Sequence, residues 1–234
     1  MKSDKHDSNN ATGTSPEFTE QTSNHGILKR RGANLPHWTV EGGWYSVTFR
    51  SFDSLPQSVL RSWRFERENI VRVAAKMKRP LSAHEQTRLR ELYSEKIETY
   101  LDAGYGSCHM RDERIGSMVA KSIQFFDGVR YVLAAWCVMP NHVHAVVKPL
   151  LGFDLDAILH SWKAFTAREA NKILVRCGAF WQSEGFDHLI RDKQEFEHAI
   201  RYVLQNPVKA GLTNWKWTGG GKGFPEVWPG NKEE

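Results

Sequence analysis

His142 and His144 flank Val143 at the start of an apolar run. In a strand, side chains at i and i+2 point to the same face, so both imidazoles can approach one cation while Val143 turns into a core. Neutral imidazole is the commonest protein ligand for metals. Two of them make a competent but incomplete site, and carboxylate, amide or water oxygens would complete it. The pattern is short, and two exposed histidines beside a turn are the plain alternative. Cys108-His109 has no second ligand pair at finger spacing, so it does not read as a zinc site.

The elements that must position this pair can be read along the chain. Residues 1–35 are polar and poor in apolar side chains, which predicts a disordered tail whose Lys29-Arg30-Arg31 cluster is a solvated basic patch. Trp44 to Phe49 is aromatic and β-branched and reads as a first strand. A charged helical stretch from Ser58 to Lys78 and a second from Ser82 to Leu101 follow, with Ser82-x-x-Glu85 as a capping box. Ile115 to Phe126 resumes a helical period. Tyr131 to Met139 and His144 to Val147, parted by Pro140-Asn141, form a hairpin-like pair of central strands. Asp154 to Leu174 is helical. Phe180-Trp181 begins an extended segment, and a helix from Asp192 is expected to close at Pro207, whose ring opposes continuation.

This order predicts an α+β fold: a ferredoxin-like split βαβ antiparallel sheet with helices on one face and a helical insertion around 63–112. The domain is expected over 36–217, with a flexible tail at 218–234. Such a fold hosts many functions, so function must come from the site.

Composition sets outer limits. The chain has 234 residues, 40% hydrophobic and 25% charged, with a formal net charge of +5. That is one well-buried domain with extensions, and a modest basic surplus suits an anionic partner. Cys108, Cys137 and Cys177 lack CxxC spacing and read as reduced thiols. No apolar run is long enough to span a bilayer and the N-terminus lacks a signal-peptide core, so a cytoplasmic location with no membrane partner is expected.

The segment Val138-Met139-Pro140-Asn141-His142-Val143-His144-Ala145-Val146-Val147 resembles the signature of the REP-associated tyrosine transposases, which carry a histidine–hydrophobic–histidine motif. The second half of that signature is Ala199-Ile200-Arg201-Tyr202-Val203-Leu204-Gln205-Asn206-Pro207-Val208-Lys209-Ala210-Gly211-Leu212. The resemblance covers roughly Pro36 to Trp217 and is weakest between Trp63 and Gly106. It implies the ferredoxin-like fold, Tyr202 as the catalytic nucleophile, and His142, His144 and Asn206 as metal ligands. Many relatives carry Gln at the last position, and Gln205 is a neighbouring alternative. Tyr202 and Asn206 are four residues apart, so they share one helix face.

The implied chemistry is metal-dependent cleavage and transfer of single-stranded DNA with Mg²⁺ or Mn²⁺, through a 5′-phosphotyrosine, at hairpins formed by repetitive extragenic palindromes. A free phenol is protonated near neutrality, so a base is required, and the sequence does not identify it. Lys148, Lys163, Arg191 and Lys209 are candidate DNA contacts. Trp136 and Trp181 are candidate base-stacking platforms, and Trp162 reads as core. Two other readings stay open: a hairpin-binding regulatory protein that does not cut, and a metal hydrolase in which Tyr202 is incidental. Both a monomer and a homodimer fit the sequence.

Overall fold

The computed structural model describes residues 28–31, 36–39, 42–91, 95–183, 185–222 and 224. In chain order its strands and helices are β1 (Leu28–Arg31), β2 (Pro36–Thr39), β3 (Tyr45–Arg50), α1 (Gln57–Lys76), α2 (Ala83–Glu91), α3 (Glu95–Asp102), α4 (Glu113–Gln124), β4 (Tyr131–Val138), β5 (His142–Pro149), α5 (Leu155–Ile173), β6 (Phe186–Leu189), α6 (Lys193–Lys209) and β7 (Thr218–Gly220). Asp112, Asp154 and Asp192 cap α4, α5 and α6 by accepting from backbone N–H groups of the first turn. The expected capping box forms at α2: Ser82 Oγ accepts from Glu85 N, and the Glu85 carboxylate accepts from Ser82 N.

Five strands form one antiparallel sheet in the order β6-β3-β5-β4-β7. Without β7 this is the split βαβ order, with β5 inserted between β3 and β4. Helices α4 and α5 cover one face, where Ile115, Val119, Ile123, Leu155, Ile158 and Trp162 pack on Val47, Phe49, Val143, Ala145 and Val147.

The expectation of helices on a single face is corrected by α6. Its Phe196, Ala199, Ile200 and Val203 pack against Trp44, Ala135, Cys137, Met139 and Val146 on the opposite face. The central strands are apolar on both faces, so each face needs a cover. Alternation along β5 therefore sends Val143 to the α4/α5 layer and His142 and His144 towards α6.

Three boundaries also differ from the sequence reading. Most of the expected N-terminal tail lies outside the described residues, but Leu28–Arg31 is β1, paired antiparallel with β2. A short connection makes such local pairing cheap in loop-closure entropy. The expected C-terminal tail begins with β7, which closes the sheet on β4. Its glycines permit a close approach: a Cβ on Gly221 would overlap the Leu133 carbonyl oxygen. Finally, α6 runs through Pro207 to Lys209. Proline in the last turn removes one intrahelical donor, and Ala210 N, Gly211 N and Leu212 N close the turn on Asn206 O, Val208 O and Pro207 O.

Within the insertion, α3 presents Ile97 and Leu101 to Leu55, with Leu60, Trp63 and Tyr100 packed around them. The loop after α3 returns to the sheet through Asp53, whose carboxylate accepts from the backbone N and hydroxyl of Ser107.

Candidate active site

Pairing of β3 with β5 sets Arg50 opposite His142 and Thr48 opposite His144. Both imidazoles are buried, 0% and 3% exposed, and their ring centroids lie 4.6 Å apart. Each is oriented by a hydrogen bond to Nδ1. Asn141 Nδ2 donates to the Tyr105 carbonyl (2.9 Å), which turns Asn141 Oδ1 towards His142 Nδ1 at 2.7 Å. His142 Nδ1 is thus the donor, and Nε2 keeps its lone pair. Thr48 Oγ1 lies 2.7 Å from His144 Nδ1. Such outer partners fix the tautomer and orientation of a ligating histidine.

Burial keeps both rings neutral. It holds His142 well below the usual imidazole range, helped by the neighbouring His144, and lowers His144 to about 3. Neutral imidazole is the form that binds a metal.

Helix α6 brings the second half. The Tyr202 ring stands edge-on to His144 with centroids 5.4 Å apart. Its hydroxyl hydrogen-bonds the side chains of Glu98 and Asn206. Asn206 is 1% exposed and its Oδ1 has no hydrogen-bond partner, so the amide nitrogen serves the phenol and the oxygen is left over. His142 Nε2 is likewise buried without a partner. Leaving a buried polar atom unpaired costs about 1–3 kcal/mol. Contacts thus run from His142 through His144 and Tyr202 to Asn206 within a single chain. Gln205 is one position round the helix and half-buried.

The Tyr202 phenol is held above its ordinary pKa, first by burial, then by the charge and hydrogen bond of Glu98 and the charge of Asp102, with Asn206 opposing. Lys209 Nζ sits 5.0 Å from the Tyr202 ring centroid, and its charge acts on Asp102. Glu98 and Asp102, four residues apart on α3, therefore face the nucleophile candidate on α6. Sequence reasoning missed both. The i, i+4 acidic spacing beside the Ile97/Leu101 stripe was the available signal, but nothing in it pointed to α6.

Of the four basic candidates, the structure brings only Lys209 to this cluster. Lys148 shares the histidine face of β5 but lies roughly 13 Å beyond His144 at strand rise; it is half-buried, with Nζ 5.0 Å from the Trp44 ring centroid. Lys163 is on α5, across the sheet, and donates to the Ser183 carbonyl. Arg191 precedes α6, about 16 Å from Tyr202 along the helix. The tryptophans are packing residues: Trp136, Trp162 and Trp181 are all at most 6% exposed. Their Nε1 atoms donate to Gly220 O, the Tyr131 hydroxyl and Thr166 Oγ1. Trp136 and Trp181 are therefore not stacking platforms, because their faces are occupied. No helix among the described residues is long and apolar enough to cross a membrane.

No protein-family model matches the chain. A stretch of 118 residues, 42% of the chain, is 26% identical to a Haemophilus influenzae protein named provisionally as a REP-associated tyrosine transposase, and spans 67% of it. A stretch of 95 residues, 38% of the chain, is 28% identical to the REP-associated tyrosine transposase of Escherichia coli, and spans 53% of it. The alignments thus span about two thirds of one relative and about half of the other. Among solved structures, a REP-associated tyrosine transposase bound to a REP hairpin superposes over 78% of this chain and 79% of its own, with a TM-score of 0.44 and 14% identity. A protein of Deinococcus radiodurans R1, named provisionally as a transposase, superposes over 77% of this chain and 97% of its own, with a TM-score of 0.33 and 13% identity. The chain is similar in sequence to REP-associated tyrosine transposases.

Proposed function

We propose that this chain, a relative in sequence of the REP-associated tyrosine transposases, cuts and rejoins single-stranded DNA beside hairpins, with Tyr202 as the attacking group. The observation that carries the reading is the meeting of the Tyr202 hydroxyl, through Asn206 and His144, with two buried polar atoms that lack partners, His142 Nε2 and Asn206 Oδ1.

These orphaned atoms fit a cation. Among the described residues no three His, Cys, Asp or Glu side chains converge on a metal site, so the third protein donor would be the Asn206 amide. An imidazole–imidazole–amide set with open positions suits Mn²⁺ or Mg²⁺ completed by water or phosphate oxygens. Bound there, the ion would polarise a phosphodiester oxygen and offset its developing charge.

The chain's own residues then have distinct tasks. Tyr202 Oη attacks phosphorus, loses its proton, and displaces the 3′ oxygen of the scissile bond. The resulting 5′-phosphotyrosine conserves the phosphodiester energy, so a second 3′-hydroxyl can reverse the step and join strands without ATP. Asn206 holds the phenol from one side, and Lys209 offers charge to an incoming phosphate. Hairpins formed by repetitive extragenic palindromes are the proposed substrates, in keeping with the relatives' names and the net positive charge. Incubation with Mn²⁺ and an end-labelled hairpin oligonucleotide bearing a single-stranded flank tests this. A covalent protein–DNA adduct that Tyr202→Phe abolishes supports the reading. Cleavage that survives in the variant points to a hydrolase, and binding without cleavage to a regulator.

A further inference from the structure

The requirement for a base beside Tyr202 can be met from the insertion. Helix α3 packs Ile97 and Leu101 against Leu55, the residue that follows the β3 end of the sheet. With that side anchored, Glu98 and Asp102 are turned towards α6. The Glu98 carboxylate receives the Tyr202 hydroxyl as a hydrogen-bond donor, while the Asn206 amide donates to the same phenol oxygen from the other side. A phenol held between one acceptor and one donor has its proton aimed at the acceptor. One lone pair of the oxygen is left to face an electrophile.

The geometry points to Glu98 as the general base of strand cleavage and the general acid of rejoining, a role that rests on the Tyr202 reading above. In cleavage, the Oη–P bond forms as the Oη–H proton passes to a Glu98 oxygen. The P–O3′ bond breaks, and the departing 3′ oxygen takes a proton from water. In rejoining, a 3′-hydroxyl attacks phosphorus and releases its proton to water; the Oη–P bond breaks, and Glu98 returns its proton to the tyrosine oxygen. The charged groups about the phenol are Glu98 and Asp102 on α3 and Lys209 on α6, with neutral His144 on β5. Asp102 is engaged with Lys209, which leaves Glu98 as the carboxylate in hydrogen-bond contact with the reacting oxygen. The insertion is then part of the catalytic apparatus.

The test uses the full chain with Mn²⁺ and a hairpin oligonucleotide, and reads the rate of covalent adduct formation against pH for wild type, Glu98→Gln, Glu98→Asp and Tyr202→Phe. Glu98→Gln is expected to bind the hairpin and melt as wild type does but to form adduct about 10²-fold more slowly or worse, the usual range for a lost general base. Its rate should climb about tenfold per pH unit on the alkaline side of neutrality, because hydroxide must then remove the proton. Glu98→Asp should recover part of the rate and the wild-type profile. A Glu98→Gln variant with the wild-type rate and profile overturns the inference while leaving Tyr202 as nucleophile. So does an equal loss at every pH in Glu98→Gln and Glu98→Asp, which marks a packing role. If the wild-type chain forms no adduct with a hairpin that it binds, the nucleophile reading fails, and this one with it.

Discussion

The Asn141 side chain bridges the Tyr105 carbonyl and His142 Nδ1, so the loop that ends the insertion fixes the direction in which a buried histidine presents its other nitrogen. Gly106 follows that carbonyl with φ +92°, and a Cβ there would meet the Asp53 carbonyl oxygen at 2.6 Å. The anchoring runs from Asp53 through Ser107 and Tyr105 to Asn141 and His142.

Removing the bridge should loosen the metal site without removing a ligand. Asn141→Ala is expected to weaken Mn²⁺ binding by about 10- to 100-fold, the usual effect of losing an outer partner of a ligating histidine. Titration calorimetry of wild type and variant checks this. Unchanged affinity would mean that His142 does not need this orientation.

Acid should destabilise the fold through the histidine pair. His144 has its folded pKa lowered to about 3, against an ordinary 6.5, and His142 moves in the same direction. Between those values the unfolded chain binds protons that the folded chain refuses, so stability is full above about pH 6.5 and falls as pH drops towards about 3. The melting temperature should decline steadily through this window, and His144→Asn should flatten the decline. A variant that follows the wild-type slope would contradict the assignment.

The path from sequence to site was clear at some residues and closed at others. Alternation placed His142 and His144 on one face of β5, and their four-residue spacing placed Tyr202 with Asn206 on α6. Both relations are local, and periodicity reveals local geometry. Glu98 was hidden because its partnership with Tyr202 spans 104 positions and depends on how α3 packs. Lys148 and Arg191 looked near the motif in sequence, yet strand rise and helix length carry them away in space. Glycines were misread as looseness at 218–224, although they allow β7 to lie close against β4.

That close approach makes Gly221 a sensitive position. A Cβ there would sit 1.7 Å from Leu133 O and 3.0 Å from the Asp127 carboxylate. Asp127 also accepts from Leu133 N and Lys222 N, so it gathers both strands. Gly221→Ala is expected to cost about 1–3 kcal/mol, as overpacking usually does, and denaturant melts measure it. Gly128→Ala meets no atom within 4 Å, but its φ of +80° strains any side chain; it should cost about 1 kcal/mol.

Adduct formation on a labelled hairpin oligonucleotide with Mn²⁺, followed by denaturing electrophoresis and peptide mapping, tests the central claim most directly. The expected result is a covalent DNA adduct on the peptide that carries Tyr202, absent from Tyr202→Phe and lost when both His142 and His144 are replaced by Ala. An adduct on another residue, or undiminished cleavage by Tyr202→Phe, would contradict it.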